Sequence, residues 1–237
     1  MTDQTSNTAI PISDFETVLT TTRAVRRRLD FDRPVRREVL MDCFRIALQA
    51  PTGGNDQDWR FVLIGDESVR RQIGEEYRRL FDKYISPRMP TLIDGGNMRS
   101  EGTLQDSDAR QRKARIYSGA AYLAENFGRA PWIVLACATR PNVSAKIAAA
   151  VYGSVFPAVW SFQLALRSRG LGSIITTLHL RDPVNMSRIL GIPDTVTQCA
   201  LLPVAYTLGT DFKPAVRTPL EDVVFADRWS QVLSETS

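Results

Sequence analysis

The sequence predicts an α+β fold, a mixed sheet flanked by helices within one domain, and three observations predict it. A chain of 237 residues can bury one substantial core, which favours a single domain or two tightly merged layers. Helical signals recur in six segments, and between them lie four short apolar runs of strand type. No internal repeat, low-complexity tract or linker interrupts that order.

Taken in order, Ser13-Asp14-Phe15-Glu16 has the spacing of a capping box and opens a first helix over about 14–21. Arg23 to Arg33 shows no helical stripe and ends at Pro34, so it reads as an extended connection. Val39, Leu40, Cys43, Ile46, Ala47 and Ala50 mark a second helix that Pro51 stops. Trp59–Ile64 follows as a strand, apolar except at Arg60. Val69, Ile73, Tyr77, Leu80, Phe81 and Tyr84 mark a third helix. From Ser86 to Gln111 prolines, glycines and charges replace the periodicity, and a stretch of that length is either a functional lid or disordered.

Helical spacing returns at Ile116, Ala120, Leu123 and Phe127, and Pro131 precedes a buried strand from Trp132 to Ala138. Val151, Val155, Val159, Phe162 and Leu166 form another stripe, with Gly170 placed as a C-cap. Pro157 lies inside that stripe, so the helix either begins after it or kinks there. Leu171–Leu178 reads as a strand. Asp182-Pro183 opens a short helix that Gly191 ends, and Ala200–Leu208 is the last core strand. Residues 1–12 are expected to be a flexible N-terminus and 13–237 the domain. Within it, 210–237 is a tail without a core of its own, where Phe225 and Trp229 need something to pack on.

Composition narrows the chemistry. No run approaches eighteen consecutive apolar residues, and 1–13 is polar without a secretory pattern, so the expected compartment is the cytoplasm, with no membrane partner. Cys43, Cys137 and Cys199 sit in apolar patterns and read as reduced packing residues. With His179 the one histidine, zinc and histidine-triad chemistry are disfavoured. The net charge is +4, yet seven of the fifteen residues from Arg23 to Arg37 are arginine, against four lysines in the whole chain. Arginine suits bidentate contact with phosphate or a carbonyl-rich ring edge. The anionic partner is a phosphorylated cofactor or a nucleic-acid backbone, and a solvated face is the alternative for at least half of these residues.

Ala50-Pro51-Thr52-Gly53-Gly54-Asn55-Asp56-Gln57-Asp58-Trp59-Arg60-Phe61 places a polar, turn-forming run between a helix and a strand, as a helix-to-strand loop or a ligand-binding junction would. In company with Thr22-Arg23-Ala24-Val25-Arg26, Pro34-Val35, Gly170-Leu171-Gly172 and Arg217-Thr218-Pro219-Leu220, this run resembles the nitroreductase family of FMN-dependent oxidoreductases over roughly Thr20 to Trp229. The resemblance implies a nitroreductase-like α+β fold, an intertwined homodimer with FMN at the interface, and 210–237 as a tail wrapping the other subunit. Residues 86–111 then become a lid or insert.

The same resemblance implies a flavin site. Arg23 would hold the FMN phosphate, and Arg26 or Arg27 would approach the pyrimidine edge. Three or four extended residues span about 10 to 13 Å, the scale of the ribityl chain. Ala24 stands where the family has serine and offers only backbone groups. Arg217 is a second phosphate ligand, with Lys213 a helper. Pro51, Thr52, Gly53 and Asn55 pack along the flavin from the other subunit, Asn55 with donor and acceptor groups for the ring edge. Thr176, Thr177 and Leu178 present backbone amides near flavin N5, where a donor stabilises reduced flavin. No side chain is catalytic in its own right, because flavin N5 does the chemistry. Asp58 departs from the family's proline. NADPH or NADH is the expected donor, and a small molecule such as a nitroaromatic or quinone the acceptor, in ping-pong order. The alternatives are a flavin storage or sensor protein with little turnover and, less favoured, nucleic-acid binding through Arg23–Arg37. The scarcity of interleaved aromatics, Phe31 being the one among these arginines, counts against the latter.

Overall fold

The computed structural model describes residues 15–90, 104–141 and 143–231. Its helices are α1 (Phe15–Thr21), α2 (Arg37–Ala47), α3 (Glu67–Tyr84), α4 (Leu104–Asn126), α5 (Ala145–Arg167) and α6 (Pro183–Leu190). The strands are β1 (Leu29–Asp30), β2 (Trp59–Ile64), β3 (Trp132–Ala138), β4 (Leu171–Ser173) and β5 (Thr197–Thr207). Every ladder between these strands is antiparallel: β2 pairs β3, β5 pairs β3 and then β1 along one edge, and β4 pairs the other edge of β5. Among the described residues the one parallel contact is an isolated bridge from Ala24 to Ser173. The sheet is therefore antiparallel with a single parallel attachment.

The period of two along β3 and β5 divides the core. Val134, Ala136 and Ala138, with Leu202 and Val204, face α2 and α5, where Leu40, Phe44, Val155, Phe162 and Leu166 are buried. Ile133, Leu135 and Cys137, with Leu201 and Ala205, face the other way, onto Ile73, Tyr77, Leu123 and Phe127 of the α3 and α4 side. Both faces of the central strands are covered, which is why their sequences read as continuous apolar runs. Helix α5 is long and apolar enough to cross a bilayer by length and composition. In the fold it packs on α2 and the sheet, with Gln163 donating to Ser173 Oγ at 2.9 Å and Arg167 Nη2 to Thr210 O at 2.8 Å.

Strands 59–64 and 132–138 lie where their apolar runs place them, and α6 has the expected caps: Asp182 accepts from the Asn185 amide at 3.2 Å, and Gly191 is left-handed with φ 65°. Three elements differ from expectation, and a fourth, α5, settles where its helix begins. Asp30 and Leu29 form a strand within the stretch read as connection, because β5 runs beyond the end of β3 and offers them an edge. Helix α4 begins at Leu104, so residues 104–111 of the expected lid are helical, while 91–103 lie outside the described residues. Helix α5 runs through Pro157 from Ala145. The strand expected over 171–178 ends at Ser173, and Leu178–Arg181 is a 3-10 turn. Ser13 of the capping box and residues 1–12 lie outside the described residues.

Candidate flavin site

The site begins where α1 ends. Beyond Thr22 the chain becomes extended and lies along β4: Ala24 bridges Ser173, and the Val25 amide donates to Ser173 O at 3.0 Å. Gly-Leu-Gly makes that approach possible. Gly170 turns with φ 72°, and a Cβ on Gly172 would stand 2.6 Å from Thr207 Cγ2 and 3.0 Å from Val25 Cγ2. A side chain there would push the arginine-bearing segment off the strand.

Against this segment lies a cavity of 790 Å3 whose lining includes Arg23, Ala24 and Arg26. Helix α4 adds Arg112, Arg115 and Ile116, α5 adds Trp160 and Gln163, the chain after β4 adds Ile174 and Ile175, and the C-terminal segment adds Pro214 to Arg217. Five arginines thus share one cavity, and no carboxylate is among the described residues lining it. Burial lowers the Arg26 guanidinium below its ordinary range, and Arg26 runs along α4, its Cδ 3.4 Å from where a Cβ on Gly119 would be. That is a cation partly stripped of water, whose charge acts at greater strength on an anion entering the cavity.

The C-terminal segment is tied down by two other arginines. The guanidiniums of Arg28 and Arg167 both lie over the Phe212 ring, 4.2 and 4.7 Å from its centre. Arg28 also donates to Leu208 O at 2.8 Å and pairs with Asp211, while buried Arg167 donates to Thr21 Oγ1 and Thr210 O. These contacts bring Pro214–Arg217 over the cavity.

The remaining expected residues lie elsewhere in the chain. Arg27 points away from the cavity, donating to Ser118 Oγ at 2.7 Å with its guanidinium over Tyr122. Lys213 is exposed and absent from the lining. Thr176 commits its amide to Leu201 O at 3.0 Å and its hydroxyl to Tyr77 at 2.9 Å. Thr177 is exposed, and the Leu178 amide lies 3.4 Å from Thr176 Oγ1. The wall near Ala24 is instead Ile174 and Ile175, because the chain turns after β4 and re-pairs with β5 only at Thr176. Pro51, Thr52, Gly53 and Asn55 are not in this cavity. They form a turn against α5, with the Gly53 amide donating to Ser154 Oγ at 3.2 Å and Asn55 Oδ1 accepting from Gln57 at 3.0 Å.

Asp58 has a local reason. Together with Asp56 it binds Arg140, Asp58 Oδ2 at 2.9 Å, which anchors the turn to the end of β3. His179 is fully buried with both ring nitrogens unpartnered among the described residues, and burial pushes its pKa down to about 4. It is a neutral packing group away from the cavity. Sequence reasoning missed Arg112, Arg115, Trp160, Gln163, Ile174 and Ile175. The arginines fell in or beside the supposed lid, although Arg112, Arg115 and Gly119 have the spacing of one helical face.

The seven arginines from 23 to 37 do not form one surface. Arg23 and Arg26 enter the cavity, Arg27 and Arg28 bind within the fold, Arg33 stacks 3.7 Å from the Tyr206 ring centre, and Arg36 pairs with Glu38.

Residues 19–206 match the nitroreductase family over most of the chain. The chain belongs to the nitroreductase family. Members of this family are NAD(P)H-dependent flavin oxidoreductases. Among known proteins, the chain is 27% identical over 187 residues to an iodotyrosine deiodinase of Thermotoga neapolitana, covering 78% of this chain and 84% of that one. It is 25% identical over 216 residues to an NADH dehydrogenase of Thermus thermophilus, covering 91% and 97%. The nitroreductase fold is also that of the FMN-dependent nitroreductase NfnB of Mycobacterium smegmatis, solved in complex with NADPH. That likeness has a TM-score of 0.65 at 19% identity over 90% of this chain and 97% of the other.

Proposed function

We propose that this nitroreductase-family protein holds FMN in the arginine-lined cavity and, as a homodimer, passes hydride from NAD(P)H to a small organic acceptor such as a nitroaromatic or quinone. The observation that carries this reading is the convergence of five arginines, with no carboxylate among the described residues beside them, in one 790 Å3 cavity. That donor set fits a group with a phosphate at one end and a ring that gains negative charge on reduction at the other. Bound FMN would supply two-electron chemistry at its N5 atom. The chain supplies charge, orientation and access. Arg23 and Arg217 hold the phosphate, Arg26 stabilises negative charge on the ring, and Ala24 with Ile174 and Ile175 forms a backbone-rich wall. Arg27, bound to Ser118 and Tyr122, serves by fixing α4 against the arginine segment.

A homodimer accounts for two further features. The turn at Pro51, Thr52, Gly53 and Asn55 lies outside its own chain's cavity, and in a dimer it faces the cavity of the other subunit. The tail exposes Val216 (84%), Leu220 (66%), Val223 and Trp229 (87%), an apolar series that gains a place to be buried by crossing a second copy.

The test is direct. Purified protein, reconstituted with FMN, should show a flavin spectrum that bleaches with NADH or NADPH without oxygen and recovers on adding a nitroaromatic. Failure to bind FMN would refute the proposal, and binding without bleaching would favour the storage or sensor reading. Arg23→Ala and Arg217→Ala should each weaken FMN binding at least tenfold by fluorescence titration, an effect of about 1.4 kcal/mol or more. Sedimentation should give twice the chain mass.

A further inference from the structure

Building on the flavin reading, we infer that the acceptor carries an anionic group, a carboxylate on an aromatic ring, and that Arg115 recognises it from α4. Arg112, Arg115 and Gly119 are separated by three and four residues and so share one face of that helix. Gly119 is where Arg26 lies against the helix. Arg115 therefore stands one turn along α4 from the Arg26 contact, on the same cavity wall, and it is exposed. The assigned cofactor does not use up the charge. Arg23 and Arg217 are assigned to the phosphate and Arg26 to the ring, and Arg112 already interacts within the chain, which leaves Arg115 as the guanidinium of the cavity with no assigned partner. A cleft with this surplus attracts a second anion.

The neighbouring groups give the shape of that anion. Ile116, next to Arg115, and Trp160 of α5 line the same cavity and are 51% and 41% exposed. An aromatic ring can lie against these two while its carboxylate meets the guanidinium fork. The phosphates of the nicotinamide donor, the pyrophosphate of both forms and the 2′-phosphate of NADPH, are the other source of an anion, and the test separates them from the acceptor.

Binding to oxidised, FMN-loaded protein is measured by calorimetry, without turnover, after each protein's flavin content has been established. The probes are 4-nitrobenzoate and the neutral 4-nitrobenzyl alcohol, with NADP⁺ and NAD⁺ as the second pair. Wild type should bind the carboxylate roughly five- to tenfold more tightly than the alcohol at low salt, and about twofold in half-molar sodium chloride. Arg115→Ala should remove most of that preference, and Arg115→Lys should retain part of it. Equal binding of the two nitro compounds to flavin-loaded wild type, or a preference undiminished in Arg115→Ala, overturns the inference and leaves the flavin reading standing. Loss of NADP⁺ binding with nitrobenzoate unaffected also overturns it, by assigning Arg115 to the nucleotide. A protein that takes up no flavin refutes the flavin reading and this inference together.

Discussion

Lowering the pH should destabilise this protein through its one histidine, and replacing His179 by leucine should remove the effect. His179 lies in the 3-10 turn after the cavity wall, is 0% exposed and has no partner for either ring nitrogen among the described residues. Its pKa is pushed down to about 4 from an ordinary 6.5, by burial alone. A depressed folded-state pKa means that stability is full above pH 6.5 and is lost as pH falls, since the unfolded chain takes a proton that the fold refuses. The loss grows between pH 6.5 and 4 and levels off below that. At pH 5 the unfolded histidine lies one and a half pH units into protonation while the folded one is still neutral, which corresponds to about 2 kcal/mol. Urea unfolding at a fixed protein concentration measures it, wild type against His179→Leu, at pH 7.5 and pH 5. The variant should gain about 2 kcal/mol relative to wild type over that interval. Carboxylates titrating in both proteins cancel in the difference. Parallel pH profiles would refute the reasoning, and so would a folded-state His179 that titrates near 6.5 by proton NMR.

Three other outcomes follow from the packing. Gly172→Ala should cost about 1–3 kcal/mol by overpacking against Thr207 and Val25 and should also weaken FMN binding; adding Thr207→Ser, which removes the obstructing methyl, should recover part of both in urea unfolding and flavin titration. Tyr77→Phe removes a buried hydroxyl pair with Thr176 and should cost about 1 kcal/mol by urea denaturation. Cys43, Cys137 and Cys199 are at most 1% exposed, with thiols pushed up by burial to about 11, 12 and 12, so a disulfide reagent at pH 8 should label none of the three in the folded protein and all of them after denaturation.

Much of the fold was legible because local signals and tertiary burial agreed. The runs 59–64 and 132–138 are strands because their residues suit a pleated, covered surface, and Asp182-Pro183 and Gly191 bound a helix by satisfying its ends. The misreadings, and a choice left open, came where contacts distant in sequence prevail. Pro157 reads as either a later start or a kink, and burial of Val151, Val155, Val159 and Phe162 on both sides of it decides against the later start. Ile174 to Leu178 has strand composition, but its ladder stops at Ser173, so the β-branched residues become a cavity wall instead.

The division is sharpest at the arginines. Composition and spacing alone determined that the chain carries an unusual guanidinium density near its N-terminus and that a glycine pair follows its longest apolar stripe; the resemblance to the nitroreductase family gave the order of these motifs its meaning. Neither could determine which arginines act together, because neighbours in an extended segment point to opposite sides. Arg26 enters the cavity and Arg27 turns to Ser118 only because Ala24 and Val25 are docked on Ser173. Arg112, Arg115 and Arg217 join Arg23 from segments about 90 and 190 residues away along the chain, and what assembled that charge was the apolar packing of α4, α5 and the sheet.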